Sequence, residues 1–394
     1  MRLPLLTTLF LLVFDIVIDY YLWRRLKGSC KNPVWSKIQL CSAVILNLCL
    51  LIVICLPKRK GGDSGLEYIM WALYAYFSVY VPKYIFCIFD FIAAIPRLFR
   101  RKRLDWLSVC GGILAVIVFG AMWWGALINR YNIDVREVVV EIPDLPEAFD
   151  GYTIAQISDM HVGTYGSDTS FVSEVVDCVN NLDADMIAFT GDIVNRKTTE
   201  LEPFVSTLSR LHARDGVYSI LGNHDYGDYF TWPTAQAKRN NMSDLINYQK
   251  KMGWRMLNNE TDFVYRENDS IAIIGVENVG DPPFNTYGDL DAAYPYLDDS
   301  VVKILLSHNP AHWNDDIKDS PDKNIALTLS GHTHAMQISV FGFSPAVWRY
   351  PTWGGLYTDE DGHQLYVNIG IGEVGVPARI GATPEITLIT LRRK

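Results

Sequence analysis

The first third of the chain consists of long apolar runs separated by short polar and basic segments. A helix needs about 20 apolar residues to cross a bilayer, and four of the runs are long enough. Trp and Tyr cluster near their ends, as they do at membrane interfaces. We therefore predict a transmembrane domain over residues 1–130. Its four helices are expected at about residues 3–23, 38–56, 68–95 and 106–128.

The distribution of Lys and Arg predicts how these helices are oriented. The first and third loops each contain five basic residues, whereas the opposite side has six near its helix ends, among them Arg2 and residues 58–60. Because cytoplasmic loops are enriched in Lys and Arg, we expect both termini outside the cytoplasm. No small-residue cleavage site follows the first run, so we interpret it as a retained helix. The sequence thus predicts a multi-pass protein of a bacterial inner membrane with an extracytoplasmic soluble domain.

Charged residues also occur inside the apolar runs. Asp15 and Asp19 are four residues apart, and Lys83 and Asp90 are seven apart, so each pair lies on one helix face. Two interpretations remain open at this point. In the first, the four residues form an intramembrane site for an ion or a lipid head group. In the second, they form ion pairs between helices or snorkel to the membrane interface.

Beyond residue 130 the apolar runs become short. Residues 131–150 are predicted as a connector with a first strand, and residues 151–394 as the soluble domain. The spacing predicts helices over 171–182 and 201–212, a loop and a helix over 226–253, and a hairpin over 263–274. This order favours an α/β fold, a four-layer α/β/β/α sandwich in which two sheets pack together with helices outside. The other predicted strands are residues 137–141, 152–157, 186–190, 217–221, 302–306, 325–329, 365–368 and 385–390.

Charge and Cys content exclude some partners and some kinds of site for the soluble domain. The chain has a net charge of −9 and its soluble part is acidic, so we expect no nucleic-acid partner. Of seven Cys residues, only Cys178 lies in the soluble part, which excludes a disulfide framework and a thiolate metal site there.

Five of the predicted buried strands end in side chains that can bind a metal. Carboxyl ends of parallel strands meet at one edge of a sheet, so these side chains are expected to converge. They offer oxygen and imidazole ligands without thiolate, a set that suits Mn, Fe or Zn. There are more ligands than one ion needs, which favours two metals that share a carboxylate. The candidates are Asp159, His161, Asp192, Asn223, His224, His308, His332 and His334.

The order of these motifs resembles the calcineurin-like metallophosphoesterase superfamily, and in particular its membrane-anchored bacterial branch. The motifs are Asp-x-His, Gly-Asp, Gly-Asn-His-Asp, Ser-His and Gly-His-x-His, and the match extends over about residues 150–390. One departure is Ile369–Gly372, where the family has an Arg-containing stretch. Arg379 and Arg349 are candidates to replace that Arg as a phosphate contact.

The resemblance implies a role for each matching residue. A first metal would be held by Asp159, His161 and His334, and a second by Asn223, His308 and His332. Asp192 would bridge the two metals, and a hydroxide between them would attack phosphorus. His224 would protonate the leaving oxygen, and Asp225 would orient its ring. For Asp225, a carboxylate that caps the turn is the alternative.

The predicted function is therefore that of a membrane-anchored, dinuclear-metal phosphohydrolase. We expect a phosphodiesterase or pyrophosphatase, and the membrane anchor favours a lipid-linked or envelope phosphate ester, with membrane lipids as partners. Two alternatives stay open, a membrane sensor or transport-linked protein whose phosphoesterase domain is the output, and a non-catalytic scaffold. The sequence does not determine an oligomeric state.

Overall fold

The computed structural model describes residues 5–29, 31–55, 66–280, 285–294, 301–318 and 325–394. It divides into two compact units, one of Met1–Ile128 with Gly375–Ala378 and one of Asn129–Val374 with Arg379–Lys394. Some residues used in the sequence analysis lie outside the described residues. They are Arg2 and the basic residues 58–60, which were counted for the orientation of the helices, and Cys30, which was counted among the Cys residues.

Each of the four apolar runs forms a helix in the described part of the first unit. They are α1 (Leu5–Ser29), α2 (Val34–Cys55), α3 (Leu66–Ala94) and α4 (Asp105–Leu127). Among the described residues, three segments are long and apolar enough to cross a membrane by length and composition. They are Val34–Val53, Glu67–Phe99 and Asp105–Tyr131.

The charged residues inside these helices have partners on other elements. Asp19 on α1 forms an ion pair with Lys83 on α3, with 2.8 Å between its Oδ1 and the Lys83 Nζ. Asp90 pairs with Arg25 at 3.3 Å and also with Arg103. The buried carboxylate of Asp15 accepts hydroxyl hydrogen bonds from Tyr76 and Tyr84. The ion pairs of Asp19, Lys83 and Asp90 match the ion pairing of the second interpretation, and Lys83 and Asp90 have different partners. The contacts given for Asp15 are with uncharged hydroxyls.

Within the described residues, the second unit contains two six-stranded sheets. The first has the order β1-β12-β2-β3-β4-β5 and the second the order β10-β11-β9-β8-β7-β6. The first-sheet strands are β1 (Asp134–Ile142), β2 (Thr153–Ile157), β3 (Met186–Phe189), β4 (Val217–Ser219), β5 (Arg255–Met256) and β12 (Glu385–Arg393). The second-sheet strands are β6 (Glu260–Arg266), β7 (Asp269–Gly275), β8 (Lys303–Leu306), β9 (Ile325–Ser330), β10 (Gly355–Thr358) and β11 (Gln364–Val367).

Parallel pairing sets the position of the strand ends. β2, β3 and β4 are parallel neighbours in the first sheet, and β7, β8 and β9 are parallel neighbours in the second. The carboxyl ends of each group therefore lie along one edge of their sheet. The predicted hairpin is confirmed as the antiparallel pair of β6 and β7.

The two sheets pack face to face through one apolar layer. Ile154 and Tyr218 of the first sheet belong to the same buried cluster as Ile304 and Leu327 of the second. A second cluster joins the first sheet to the helix α5 (Ser170–Asn181), whose Val side chains point inward with helical spacing. The predicted α/β architecture of two packed sheets is confirmed.

One predicted helix is much shorter than expected. Instead of a helix over 201–212, the chain forms a 3₁₀ turn at Glu202–Phe204 and one α-helical turn at Val205–Leu208. Leu201, Phe204 and Leu208 are all fully buried. Their spacing is that of a continuous helix. Two consecutive turns of different pitch bury the same residues, so the apolar periodicity alone overestimates the length of this helix. The helix predicted within 226–253 is α6 (Ala235–Lys251).

Candidate metal centre

The chemistry-bearing residues follow the strands of the second unit at their carboxyl ends. Asp159 and His161 follow β2, Asp192 follows β3, and the Asn223–Asp225 turn follows β4. From the second sheet, His308 follows β8 and the Gly331–His334 segment follows β9. Face-to-face packing of the sheets brings these five turns together.

The backbone at these turns is strained where the side chains must point inward. Asp159, His161, Asp192, His332 and His334 all have positive φ, between 45° and 73°. Such values are uncommon outside glycine and cluster at functional sites. Gly331 is needed for a different reason. A Cβ there would lie 1.9 Å from Ser158 Oγ and 2.3 Å from Asp159 Oδ2, so any larger residue would displace a candidate ligand.

A first cluster combines Asp159, His161 and His334. His334 Nε2 lies 3.2 Å from His161 Nε2 and 3.2 Å from Asp159 Oδ1. All three side chains are buried. One carboxylate oxygen and two imidazole nitrogens therefore face the same point.

A second cluster combines Asp192, His308 and His332. Asn223 joins it, with its Oδ1 at 3.1 Å from His308 Nε2 and 2.9 Å from His332 Nδ1. Asp192 Oδ2 lies 3.2 Å from His308 Nε2 and 3.5 Å from His161 Nε2 of the first cluster. Asp192 thus stands between the two clusters, where a shared ligand would be.

Hydrogen bonds to the backbone determine which ring nitrogens are free. His161 Nδ1 lies 3.1 Å from the carbonyl oxygen of Val194, and His308 Nδ1 lies 2.7 Å from that of Thr190. A carbonyl only accepts hydrogen bonds, so both Nδ1 atoms carry a hydrogen and each ring is held with Nε2 toward the clusters. Imidazoles that bind metals are commonly oriented in this way, with the other ring nitrogen donating to a backbone carbonyl.

The electrostatics of the clusters agree with cation binding. Burial disfavours their charged forms, yet neighbouring imidazoles, His334 for Asp159 and His308 for Asp192, keep the pKa of both carboxyls below its usual value. Burial lowers the pKa of His161, and burial together with His308 lowers that of His332 to about 3. His308 is the exception, because Asp192 outweighs its burial and raises its pKa to about 10. The raised pKa places a proton on His308 Nε2, facing Asp192, at a position that a metal ion would otherwise take.

His224 lies beside the clusters and belongs to neither. Its Nδ1 lies 2.6 Å from the carbonyl oxygen of Asn195, and its ring stacks on Tyr229 with 4.2 Å between centroids. Its backbone N–H donates to Asp192 Oδ1 at 2.8 Å. The ring is therefore held in one orientation with Nε2 left over, as a group that exchanges a proton requires.

The predicted action of Asp225 on the His224 ring needs correction. The Asp225 carboxylate accepts hydrogen bonds at 2.8–3.3 Å from four backbone N–H groups, those of Gly222, Asp192, Ile193 and Val194. These contacts correspond to the alternative, a carboxylate that caps the turn, and the carbonyl of Asn195 orients the ring instead. Burial and the nearby Asp192 raise the pKa of Asp225 to about 7.

Sequence reasoning missed two tyrosines that touch the candidate ligands. The Tyr350 hydroxyl lies 2.8 Å from His332 Nε2, and the Tyr229 hydroxyl accepts a hydrogen bond from Asn223 Nδ2 at 2.8 Å. Neither tyrosine belongs to a recognisable motif, and no periodicity marks them. Only the folded geometry identifies them.

The two arginines suggested as phosphate contacts differ. Arg379 is fully buried, and its guanidinium donates hydrogen bonds to the carbonyls of Gly372 and Ala382 and to His334 Nδ1 at 3.1 Å, so it supports a candidate ligand and the backbone around it. Arg349 is exposed and lines a cavity of 480 Å³ together with Lys318 and Tyr350. Arg349 alone of the two remains a candidate.

Comparisons with known proteins identify the family to which the chain belongs. Residues 152–336 match the family model of the calcineurin-like phosphoesterases, and residues 1–130 match that of the transmembrane domain of probable calcineurin-like phosphoesterases. A "Transmembrane protein with metallophosphoesterase domain" from Danio rerio is 28% identical over 95% of this chain and 86% of its own length.

Two bacterial relatives each cover about three quarters of the chain. The "Uncharacterized metallophosphoesterase YkuE" of Bacillus subtilis is 29% identical over 76% of this chain and 99% of its own length. An "Uncharacterized metallophosphoesterase" of Helicobacter pylori (strain J99) is 30% identical over 75% of this chain and 73% of its own length.

Metal content tests the arrangement directly. Because Asp192 stands between the clusters, Asp192→Asn should reduce bound Mn or Zn at both positions, to well under half of the parent value. Asn223→Ala should leave about one metal per chain, because Asn223 contacts only the second cluster. Inductively coupled plasma mass spectrometry of the purified full chain provides the measurement.

The exposed Asp361→Asn in the β10–β11 turn is the matched control and should retain the parent content. If Asp192→Asn bound as much metal as Asp361→Asn, Asp192 would not be a shared ligand.

Proposed function

Because this chain belongs to the calcineurin-like phosphoesterase family, we propose that its metal centre hydrolyses a phosphodiester or pyrophosphate bond in a lipid-linked or envelope substrate. The family consists of metal-dependent phosphoesterases with a dinuclear site, so the chain is a membrane-associated metallophosphoesterase. The observation that supports the finer proposal is the pair of clusters joined through Asp192, in a chain that also has helices apolar enough to span a membrane.

We assign the candidate ligands to two metal positions. Each position combines carboxylate or amide oxygen with imidazole nitrogen, which suits Mn, Fe or Zn. When bound, two such ions supply Lewis acidity that activates water and neutralises phosphoryl oxygens. One ion would be held by Asp159, His161 and His334. The other ion would be held by Asn223, His308 and His332, and Asp192 would be a ligand of both ions.

The chain's own residues would then direct the proton. We assign His224 as the general acid that protonates the leaving oxygen as the phosphorus–oxygen bond breaks. The carbonyl of Asn195 holds its Nδ1–H, so Nε2 is the atom that gives up the proton. Stacking on Tyr229 limits rotation of the ring. Asp225 acts through the backbone, by fixing the loop from which the Asn195 carbonyl projects.

The enzyme proposal is stronger than the alternative of a non-catalytic scaffold. A scaffold has no need for two complete ligand clusters, and here all seven candidate ligands lie in or against the two clusters. A sensor or transport role would need a ligand site among the helices, and the charged residues described there are paired.

Leaving-group dependence tests the assignment of His224. The full chain with Mn should cleave bis(p-nitrophenyl) phosphate, whose leaving group needs no proton. His224→Ala should change that rate by less than about ten-fold. The same substitution should slow a diester with an alkoxide leaving group, such as glycerophosphoglycerol, by about 10²–10⁴-fold.

Asp192→Asn serves as the comparison and should lose activity on both substrates. Equal loss for both substrates in His224→Ala would contradict the role of a general acid. Full activity of His224→Ala on the alkoxide diester would contradict it as well.

We further propose that the catalytic unit lies outside the cytoplasm, at a bacterial inner membrane. The excess of basic residues in the first and third loops supports this orientation. A C-terminal alkaline phosphatase fusion should then be active, because that reporter folds only where disulfides form. An inactive phosphatase fusion, together with a fluorescent cytoplasmic reporter at the same position, would contradict this orientation and place the catalytic unit in the cytoplasm.

A further inference from the structure

A loop with many apolar residues exposes them to solvent beside the metal centre. We call residues 336–348 the apolar loop. It begins two residues after His334 and contains no charged residue. Six of its large apolar side chains are exposed, and Phe341 is completely so. These side chains are Met336, Ile338, Val340, Phe341, Phe343 and Trp348.

The backbone conformation at the tip of the apolar loop is unfavourable for Phe341. The backbones of Val340 and Phe343 exchange hydrogen bonds at 2.9 and 3.0 Å, which makes Phe341 and Gly342 a two-residue turn. Their φ values are 52° and 78°. Asn, Asp and Gly suit such a turn, whereas a bulky residue at positive φ is an outlier. Neither turn preference nor packing within the chain accounts for Phe341.

The base of the apolar loop is fastened to the second unit. Ser344 Oγ donates a hydrogen bond to the carbonyl of Ala335 at 2.6 Å, and the N–H of Ser339 donates to the carbonyl of Ile380 at 2.9 Å. Phe343 and Trp348 pack edge to face, 6.0 Å between ring centroids. The chain therefore presents these apolar side chains outward on an ordered support.

We infer that the apolar loop inserts into the interfacial region of a phospholipid bilayer. Six exposed apolar side chains in one short segment exceed what scattered surface residues explain. The chain's own membrane helices keep a bilayer within reach. Phe and Trp favour the level of the lipid head groups. Arg349 follows the loop directly and, with Lys318 and Asp315, lines the adjoining cavity, so basic side chains lie beside the apolar loop.

Both ends of the apolar loop lead to candidate metal ligands. His334 precedes it, and Tyr350, two residues beyond its end, contacts His332 through its hydroxyl at 2.8 Å. A lipid bound against the apolar loop would therefore have its phosphate near the two proposed metal positions. This second step rests on the proposed function, whereas the contact between loop and bilayer does not.

Photocrosslinking tests the contact in the full chain. We replace Phe341 with p-benzoylphenylalanine, reconstitute the protein in nanodiscs of phosphatidylcholine and phosphatidylglycerol, and irradiate. Intact-protein mass spectrometry should show an adduct of one phospholipid. Tyr265 is the matched control, because it is an aromatic residue of the second unit with 72% of its surface exposed. The same replacement there should give at least five-fold less adduct.

Three outcomes would overturn the inference: no lipid adduct at position 341, equal adducts at both positions, or crosslinks from 341 to a second copy of the chain. Failure of the proposed function is separately visible. If the lipid adduct forms but the parent chain does not hydrolyse bis(p-nitrophenyl) phosphate, the loop contact stands and the enzymatic proposal fails.

Phe341→Asn separates membrane contact from a structural role. Asn suits positive φ, so the melting temperature of this variant in detergent should equal or exceed that of the parent. Its rate on bis(p-nitrophenyl) phosphate should remain within two-fold of the parent rate. A lower melting temperature would show that Phe341 supports the fold, and the inference would then be wrong.

Discussion

The second unit depends on one constraint, the convergence of carboxylate, amide and imidazole side chains at the edge of two packed sheets. Backbone carbonyls hold the Nδ1 hydrogens of His161 and His308, so that both Nε2 atoms face carboxylate and amide oxygens. Oxygen and nitrogen atoms buried this close together are stabilised by a cation or a proton between them. The positive φ values at Asp159 and Asp192 are tolerated because the rest of the unit imposes them.

Much of this arrangement can be predicted from the sequence, because the pattern of apolar residues shows where each buried strand ends. Short apolar runs that stop at Asp159, Asp192 or His308 predict both the strand and the edge where it ends. The spacing of the motifs then identifies the family. Other features depend on how turns meet in space. Asn195 acts through its backbone carbonyl, which no side-chain pattern reveals, and Tyr350 reaches His332 from a loop without regular periodicity.

The errors also have physical causes. The family resemblance implied that Asp225 orients the His224 ring, but its carboxylate accepts hydrogen bonds from the backbone of another loop. Among the helices, the sequence shows that Asp15 and Asp19 share a face but not which residues on α3 meet them. Partners across helices depend on packing, and the pairing of Asp19 with Lys83 appears only in the structure.

We propose above all that two cations share Asp192 between the imidazole clusters. Crystals of the full chain grown with Mn and measured at the Mn absorption edge test it most directly. We expect two anomalous peaks about 3.5–4 Å apart, one at Asp159, His161 and His334 and one at Asn223, His308 and His332, with an Asp192 oxygen within about 2.3 Å of both. A single peak, or two peaks without Asp192 between them, would contradict the account.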